Sequence, residues 1–249
     1  MEKPLIRRIR ALADKYETQD FLKKDPSQFM HRFTDVKNQE VAAFIAANLA
    51  FGRRDQILKH VEFILEQGKS DLYGWILGSG YKKVFNDSEK SFYRMYSFKA
   101  MRIFFDTLRE ILRKSGTLGE HFKKLYEETT TPEPLCLLIA QCFPRECTLI
   151  PYTKTSACKK LNMFLRWMVR DNSPVDMGLW KWFSKKELII PMDTHVLQTA
   201  VEFNLIEKTS SGKIPGATLK MAYALTQKMK EVFPEDPCRA DFALFGLGV

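Results

Sequence analysis

The stretch SACKKLNMFLRWMVR, residues 156 to 170, decides how this chain is interpreted. Its apolar residues recur at the spacing of one buried helix face: Leu161, Phe164, Leu165 and Met168. Ser156 or Thr155 can cap such a helix at its start. The stretch therefore predicts a helix whose first turn carries a pair of lysines, Lys159 and Lys160.

The same helical periodicity extends over most of the remaining chain. Helical stretches are QEVAAFIAANLAFG (39–52), RDQILKHVEFILEQG (54–68), KAMRIFFDTLREILRKSG (99–116), PEPLCLLIAQCF (132–143) and GATLKMAYALTQKMKEVF (216–233). No alternating strand of useful length is evident, and residues 79–97 are interpreted as a loop with short helical pieces. We expect an all-α protein, a single domain over 1–249 whose two helical lobes surround a cleft and meet near 144–156.

The composition limits the classes of protein that need to be considered. The net charge of +9 over 249 residues suits a nucleic-acid partner. No apolar run approaches the length of a membrane span, and the first residues lack an apolar signal core, so a cytoplasmic, nucleoid-associated monomer is expected. The five cysteines form no CxxC pair, which predicts reduced thiols and neither a metal nor another cofactor.

A second stretch, IIPMDTHVLQTA at residues 189–200, places Asp193 between an apolar run and a new helical pattern. One interpretation is a structural N-cap, and the other is a catalytic carboxylate held at the mouth of a helix. The lysine pair has two interpretations as well. The positive end of the helix dipole disfavours a cation, and an uncharged lysine is a usable nucleophile, but exposed lysines that meet only water or phosphate also fit.

Together the two stretches resemble the helix-hairpin-helix DNA glycosylase superfamily. KKLNMFL (159–165) matches that superfamily's Lys-Thr-Ala-Asn-x-x-Leu at its Lys, Asn and Leu, and PMDTHV (191–196) resembles its segment around an invariant aspartate. The hairpin glycines are replaced by IPYTKTSAC (150–158), and the long separation between lysine and aspartate is similar to the archaeal 8-oxoguanine DNA glycosylases. The whole chain also resembles an uncharacterised bacterial family, through AFGRRDQI, LNMFLRWMVR, IPMDTHV and DFALFGLG.

This resemblance implies a DNA repair enzyme that removes a damaged base, with 8-oxoguanine as the candidate lesion. Lys159 would be the nucleophile that attacks the sugar, Lys160 the alternative nucleophile, and Asp193 the carboxylate that assists it. A lysine Schiff base would give the enzyme AP-lyase activity on damaged duplex DNA, without a metal.

The sequence also offers candidate contacts to DNA. The candidate phosphate contacts are Arg53, Arg54, Lys154, Arg166 and Arg170. Arg166 and Arg170 share a helix face with Lys159, which fits either one basic wall of the cleft or a solvated helix face, and Asp241 is a candidate to face the same cleft. The candidates for stacking a flipped base are Trp167, Trp180 and Trp182, each of which also suits a core position.

Two other classes of function fit the same sequence. A non-catalytic nucleic-acid-binding protein could have the same fold and charge without the lysine chemistry. A helical module that binds a protein or small ligand would present a cleft lined by apolar side chains. A distance of more than about 10 Å between Lys159 and Asp193 would exclude the catalytic interpretation, because no one-water relay spans it.

Overall fold

The structure of the protein is a computed structural model that describes residues 1–130, 132–151 and 156–247. Helices make up nearly all of its regular structure. The α-helices of these residues are α1 (Lys3–Tyr16), α2 (Gln19–Leu22), α3 (Val36–Leu49), α4 (Arg54–Gly68), α5 (Leu72–Leu77), α6 (Phe98–Ser115), α7 (Leu118–Glu128), α8 (Leu135–Gln141), α9 (Lys159–Val169), α10 (Thr194–Glu202), α11 (Leu219–Met229) and α12 (Ala240–Leu247). Short 3-10 helices span Pro26–Arg32, Gly80–Lys83, Lys185–Glu187 and Pro237–Arg239. The predicted all-α class is confirmed.

The chain divides into two compact units. One unit combines Met1–Lys23 with Thr153–Val249, and we call it the split unit; the other is Lys24–Tyr152, the central unit. Nothing in the sequence pattern indicated that the first residues belong with the last hundred. That grouping depends on long-range packing, which helical periodicity does not report.

The central unit is built around α3, whose residues from Asn38 to Leu49 are all buried. Asp35 caps this helix by accepting a hydrogen bond from the Asn38 amide. Inside the helix, the buried carboxylate of Glu40 accepts hydrogen bonds from the first amides of α7, at Leu118 and Gly119, with the shortest at 2.8 Å. Glu40 thus satisfies donors that a helix start leaves unpaired, and it fixes α7 against α3.

A small hairpin in the central unit was missed by the sequence prediction of a loop with helical pieces. Strands β1 (Ser91–Tyr93) and β2 (Tyr96–Ser97) pair antiparallel, and Arg94 and Met95 form the turn. Arg94 adopts a left-handed conformation with φ of 51°. Such hairpin turns favour Asn and Gly, so an Arg-Met turn carries no sequence signal.

The two segments of the split unit are distant in sequence and pack against each other. Helix α12 packs against both α1 and α10. Phe21 meets Phe242 edge-on with ring centroids 5.3 Å apart. Helix α9 lies inside this unit, and every residue from Leu161 to Val169 is buried. Only the first turn of α9 therefore presents partly exposed side chains.

Candidate functional site

The first candidate residue, Lys159, opens helix α9. The residue before it, Cys158, has a left-handed backbone with φ of 49°, and its amide donates a hydrogen bond to Ser156 Oγ at 3.1 Å. The sharp change of direction at Cys158 starts the helix one residue later. The sequence predicted that Ser156 could cap α9. In the structure it instead stabilises the turn that leads into the helix.

Asn162 fixes this turn from inside the helix. Its buried side chain donates a hydrogen bond to the carbonyl oxygen of Ala157 at 3.1 Å. Its backbone amide donates to the carbonyl oxygen of Cys158 at 2.9 Å. In the sequence comparison, Asn162 served only as a position that matches the glycosylase motif. In the structure it holds the start of α9 in place and so positions Lys159.

The second candidate residue, Asp193, is the N-cap of α10. Its Oδ1 atom accepts hydrogen bonds from the amides of His195 and Val196, at 2.9 and 3.0 Å. Its other oxygen, Oδ2, lies 3.5 Å from Nζ of Lys159. Both side chains keep some exposure, 28% for Lys159 and 19% for Asp193. One carboxylate therefore caps a helix and pairs with an amine that solvent can reach.

Lys160 follows at the second position of α9 and is half-buried. Of the two candidate nucleophiles, Lys159 is the one whose amine the structure places beside Asp193. Lys154, a candidate DNA contact, lies outside the described residues.

The prediction that Arg166 and Arg170 line a basic cleft wall is wrong, because both side chains are buried. Their exposed fractions are 3% and 1%, so neither guanidinium can reach a phosphate. Arg170 donates hydrogen bonds to Asp236 at 2.9 Å, to Asp176, and to Glu17 at 2.8 Å. The two arginines do share a helix face as predicted, but that face lies inside the split unit, where acidic side chains surround it.

This buried ion-pair cluster shifts the proton affinity of its members. Burial opposes the charge of Arg170, but Asp176, Asp236 and Glu17 raise the pKa of its guanidinium well above the ordinary value. Burial also raises the pKa of Glu17, but Arg170 and Arg239 outweigh burial and leave that pKa below its ordinary value. The acids come from three separate segments, so their charges hold α9 to the rest of the split unit.

Asp241, in the first turn of α12, connects this cluster to the candidate site. Its carboxylate accepts a hydrogen bond from Arg166, and it interacts electrostatically with both Lys159 and Asp193. Burial is the main reason that the pKa of Asp241 is raised to about 6; Arg166 and Lys159 lower it, and Asp193 adds to the increase. With 5% exposure, Asp241 is a buried neighbour of the Lys159–Asp193 pair and does not line an open surface.

Two of the three tryptophan candidates are core residues. Trp167 is fully buried, and its indole N–H has no hydrogen-bond partner among the described residues. Trp180 is 2% exposed and meets Phe164 edge-on at 5.2 Å. Neither can stack on a flipped base, so these two predictions are wrong. Trp182 is half-buried and stacks on Trp180 with centroids 5.5 Å apart, and it stays a candidate.

Arg53 and Arg54 belong to the central unit, at the start of α4. Arg53 is the N-cap residue, with a side chain 78% exposed and an ion pair to Asp55 at 3.0 Å. Arg54 is half-buried. A surface ion pair of this kind is weak and exchanges readily, so Arg53 can still contact a phosphate, and a phosphate contact of Arg54 stays a prediction.

Two further observations bear on the type of site. The described residues contain no group of three or more His, Cys, Asp or Glu side chains arranged to hold a metal ion. None of the helices in the described part of the chain is both long and apolar enough to cross a membrane.

Comparison with known proteins gives a family but no activity. A family model described as "Protein of unknown function (DUF2400)" matches residues 25–249. No curated protein and no solved structure matches the chain significantly. Because the family model covers all but the first residues, the chain belongs to the DUF2400 family.

Proposed function

We propose that this protein is a lysine-dependent DNA glycosylase with AP-lyase activity, acting at the first turn of α9. The observation that carries the proposal is the approach of the Lys159 amine to Asp193 Oδ2, at 3.5 Å. A nucleophile beside a proton acceptor is the arrangement that covalent catalysis requires. The approach also lies well inside the limit of about 10 Å beyond which a proton relay would fail.

The reaction begins with proton transfer from the Lys159 ammonium to Asp193 or to water. The neutral amine then attacks C1′ of the damaged nucleotide, the bond from C1′ to the base breaks, and the base leaves with the electron pair and takes up a proton. The attached amine then loses a proton, the C1′–O4′ bond breaks, and O4′ takes up a proton, which opens the sugar ring and gives a Schiff base between Lys159 and C1′. Loss of a C2′ proton followed by breakage of the C3′–O bond then cleaves the strand.

Each side chain of the site has a distinct task in this scheme. Asp193 is held by two backbone amides, so its position changes little when it gains or loses a proton. The same carboxylate stabilises positive charge that develops on the sugar. Asn162 fixes the turn before Lys159, so the amine starts from a defined position. The net charge of +9 supports a polyanionic substrate.

Borohydride trapping tests this proposal directly, because it reduces a Schiff base to a stable adduct. The protein is mixed with duplexes that carry 8-oxoguanine or an abasic site, and wild type is compared with Lys159→Gln and Lys160→Gln. We expect a covalent adduct with wild type and Lys160→Gln, and none with Lys159→Gln. An adduct that survives Lys159→Gln, or no adduct with either duplex, would overturn the proposal.

A further inference from the structure

The central unit contains a small cavity that the proposed chemistry does not use. It lies between the start of α4 and the β1–β2 hairpin and has a volume of about 240 Å³. Its lining combines cations with aromatic rings: Arg53, Gln56, His60, Phe92, Tyr93 and Arg94. We call it the hairpin cavity. All of its lining residues belong to the central unit.

One wall of the hairpin cavity consists of ring systems. The His60 ring lies 4.4 Å from that of Tyr93 and meets Phe92 edge-on at 5.3 Å. Phe63, which is 39% exposed, lies outside the cavity lining with its ring centroid 5.8 Å from that of Phe92. Tyr93 is buried behind this wall, whereas His60 and Phe92 are partly exposed and offer faces on which a planar base can stack, whatever its sequence identity.

The lining of the hairpin cavity also includes two arginines, Arg53 and Arg94. The exposed Arg94 has its guanidinium 4.8 Å from the ring centroid of Phe51, which is itself 43% exposed. Arg94 holds its left-handed backbone at some energetic cost, because a side chain in that conformation is strained. Arg53 adds a second exposed cation, which pairs with Asp55 at 3.0 Å in a surface ion pair that a phosphate can displace. Both side chains offer planar donor groups that match a phosphate.

Gly52 brings these two arginines together. It has a positive φ of 111°, and a Cβ atom built on it would lie 2.6 Å from Nη1 of Arg94. The Tyr93 hydroxyl donates a hydrogen bond to the carbonyl oxygen of Phe51 at 2.6 Å, which ties the hairpin to the turn before α4. The chain therefore approaches the hairpin closely at Gly52, and Arg53 follows directly.

We propose that the hairpin cavity binds one unpaired nucleotide of a single DNA strand, with the base against the rings and the phosphate between Arg53 and Arg94. The choice of DNA as the polymer rests on the proposed function; the cavity itself requires only a planar base joined to an anion. Ring faces and guanidinium groups in one small cavity fit that combination better than either part alone.

Fluorescence anisotropy with a short labelled oligothymidylate and the full chain tests this site. Arg94→Gly is the informative variant, because it removes the cation and also relieves the positive φ, so the fold is retained. We expect its affinity to fall by about tenfold, the loss expected for a charge-assisted contact. Arg113→Gly is the matched control: it removes an exposed arginine of α6 that does not line the cavity, and it should change affinity less than about twofold.

Competition separates a nucleotide site from a site for any anion. Thymidine monophosphate should displace the oligonucleotide at far lower concentration than inorganic phosphate does, because only the nucleotide offers a base. Equal competition by the two would overturn the proposal. So would wild-type affinity in Arg94→Gly, or an equal loss in Arg94→Gly and Arg113→Gly, which would indicate a general effect of charge.

The two proposals fail in different assays. Borohydride trapping reports on Lys159, which does not line the hairpin cavity, and fluorescence anisotropy reports on Arg94, which does. Arg94-dependent binding without any borohydride adduct would refute the lysine chemistry and leave the nucleotide site standing. A Lys159-dependent adduct with no effect of Arg94 on binding would refute the nucleotide site and leave the lysine chemistry standing.

Discussion

Asp193 uses one oxygen to cap α10 and directs the other toward the amine of Lys159, 3.5 Å away. The cap and the ion pair therefore depend on different atoms of one carboxylate. The structural and the chemical interpretations of Asp193 do not exclude each other, and substitution can separate them.

Asp193→Asn should retain the cap and lose the negative charge. The free energy of unfolding should stay within a few tenths of a kcal/mol of wild type, because the amide oxygen still accepts the backbone hydrogen bonds, whereas Asp193→Ala should lose about 1 kcal/mol. Borohydride adduct formation should fall by about a hundredfold or more in both variants. Urea denaturation and trapping on an abasic duplex measure the two effects, and full trapping in Asp193→Asn would contradict a role for the charge.

Arg170→Met should be among the most destabilising single substitutions in the split unit. It leaves Glu17, Asp176 and Asp236 without their common partner, and breaking a buried ion pair from one side costs about 3–5 kcal/mol. Arg113→Met, at an exposed site, should change stability by less than about 0.5 kcal/mol. Urea denaturation of both variants is the measurement, and a loss below about 1 kcal/mol for Arg170→Met would show that the cluster does not hold α9.

The buried carboxyl of Asp241 predicts a pH-dependent contribution to stability. Because its pKa is raised from 3.8 to about 6, the folded protein keeps this proton between those pH values while the unfolded chain loses it. This proton contributes up to about 3 kcal/mol to the free energy of unfolding. The contribution is fully present below about pH 4 and is lost as the pH rises through 6. The charged groups that act on Asp241 are Arg166, Lys159, Asp193 and Asp176.

Comparison of wild type with Asp241→Asn isolates this contribution. The difference in their free energies of unfolding should favour wild type more strongly at about pH 4.5 than at pH 7. Asp55→Asn provides a control of opposite sign, because Gln56 and Arg53 lower the pKa of the exposed Asp55, so its contribution weakens as the pH falls. A difference for Asp241→Asn that is constant with pH would contradict the raised pKa.

Gly246→Ala should destabilise the protein although alanine is the better helix former. A Cβ atom at Gly246 of α12 would lie 2.4 Å from the ring of Tyr16 at the end of α1, and overpacking of this kind costs about 1–3 kcal/mol. Gly216→Ala is the control, since nothing lies within 4 Å of a Cβ atom there. Thermal denaturation compares the two, and equal melting temperatures would show that α1 and α12 can separate without cost.

Helical periodicity was sufficient to predict the class of the fold and the position of most helices. The stretch at 54–68 coincides with α4, and that at 99–116 differs from α6 by one residue at each end. The hairpin was missed because its strands are three and two residues long, too short for an alternating pattern. Its turn residues, Arg94 and Met95, also lack the usual turn chemistry.

The candidate site was predicted in part. The motif order placed Lys159 and Asp193 at helix starts, and the structure has both there, side by side. The failure at Arg166 and Arg170 has a physical reason: spacing tells which residues share a helix face, but not whether that face meets water. An apolar helix that contains two arginines needs buried acids, and these come from distant parts of the sequence, such as Glu17 and Asp241.

The packing of α1 on α12 has a consequence for how the protein folds during synthesis. The central unit is contiguous and can close once residue 152 has left the ribosome, whereas α1 must wait for residues 240–247. Until then the apolar side chains of α1, including Ile9, have no native partner and are open to chaperones or to aggregation. The Lys159–Asp193 pair belongs to the unit that closes last, so the central unit should form well before the chain acquires its candidate chemistry.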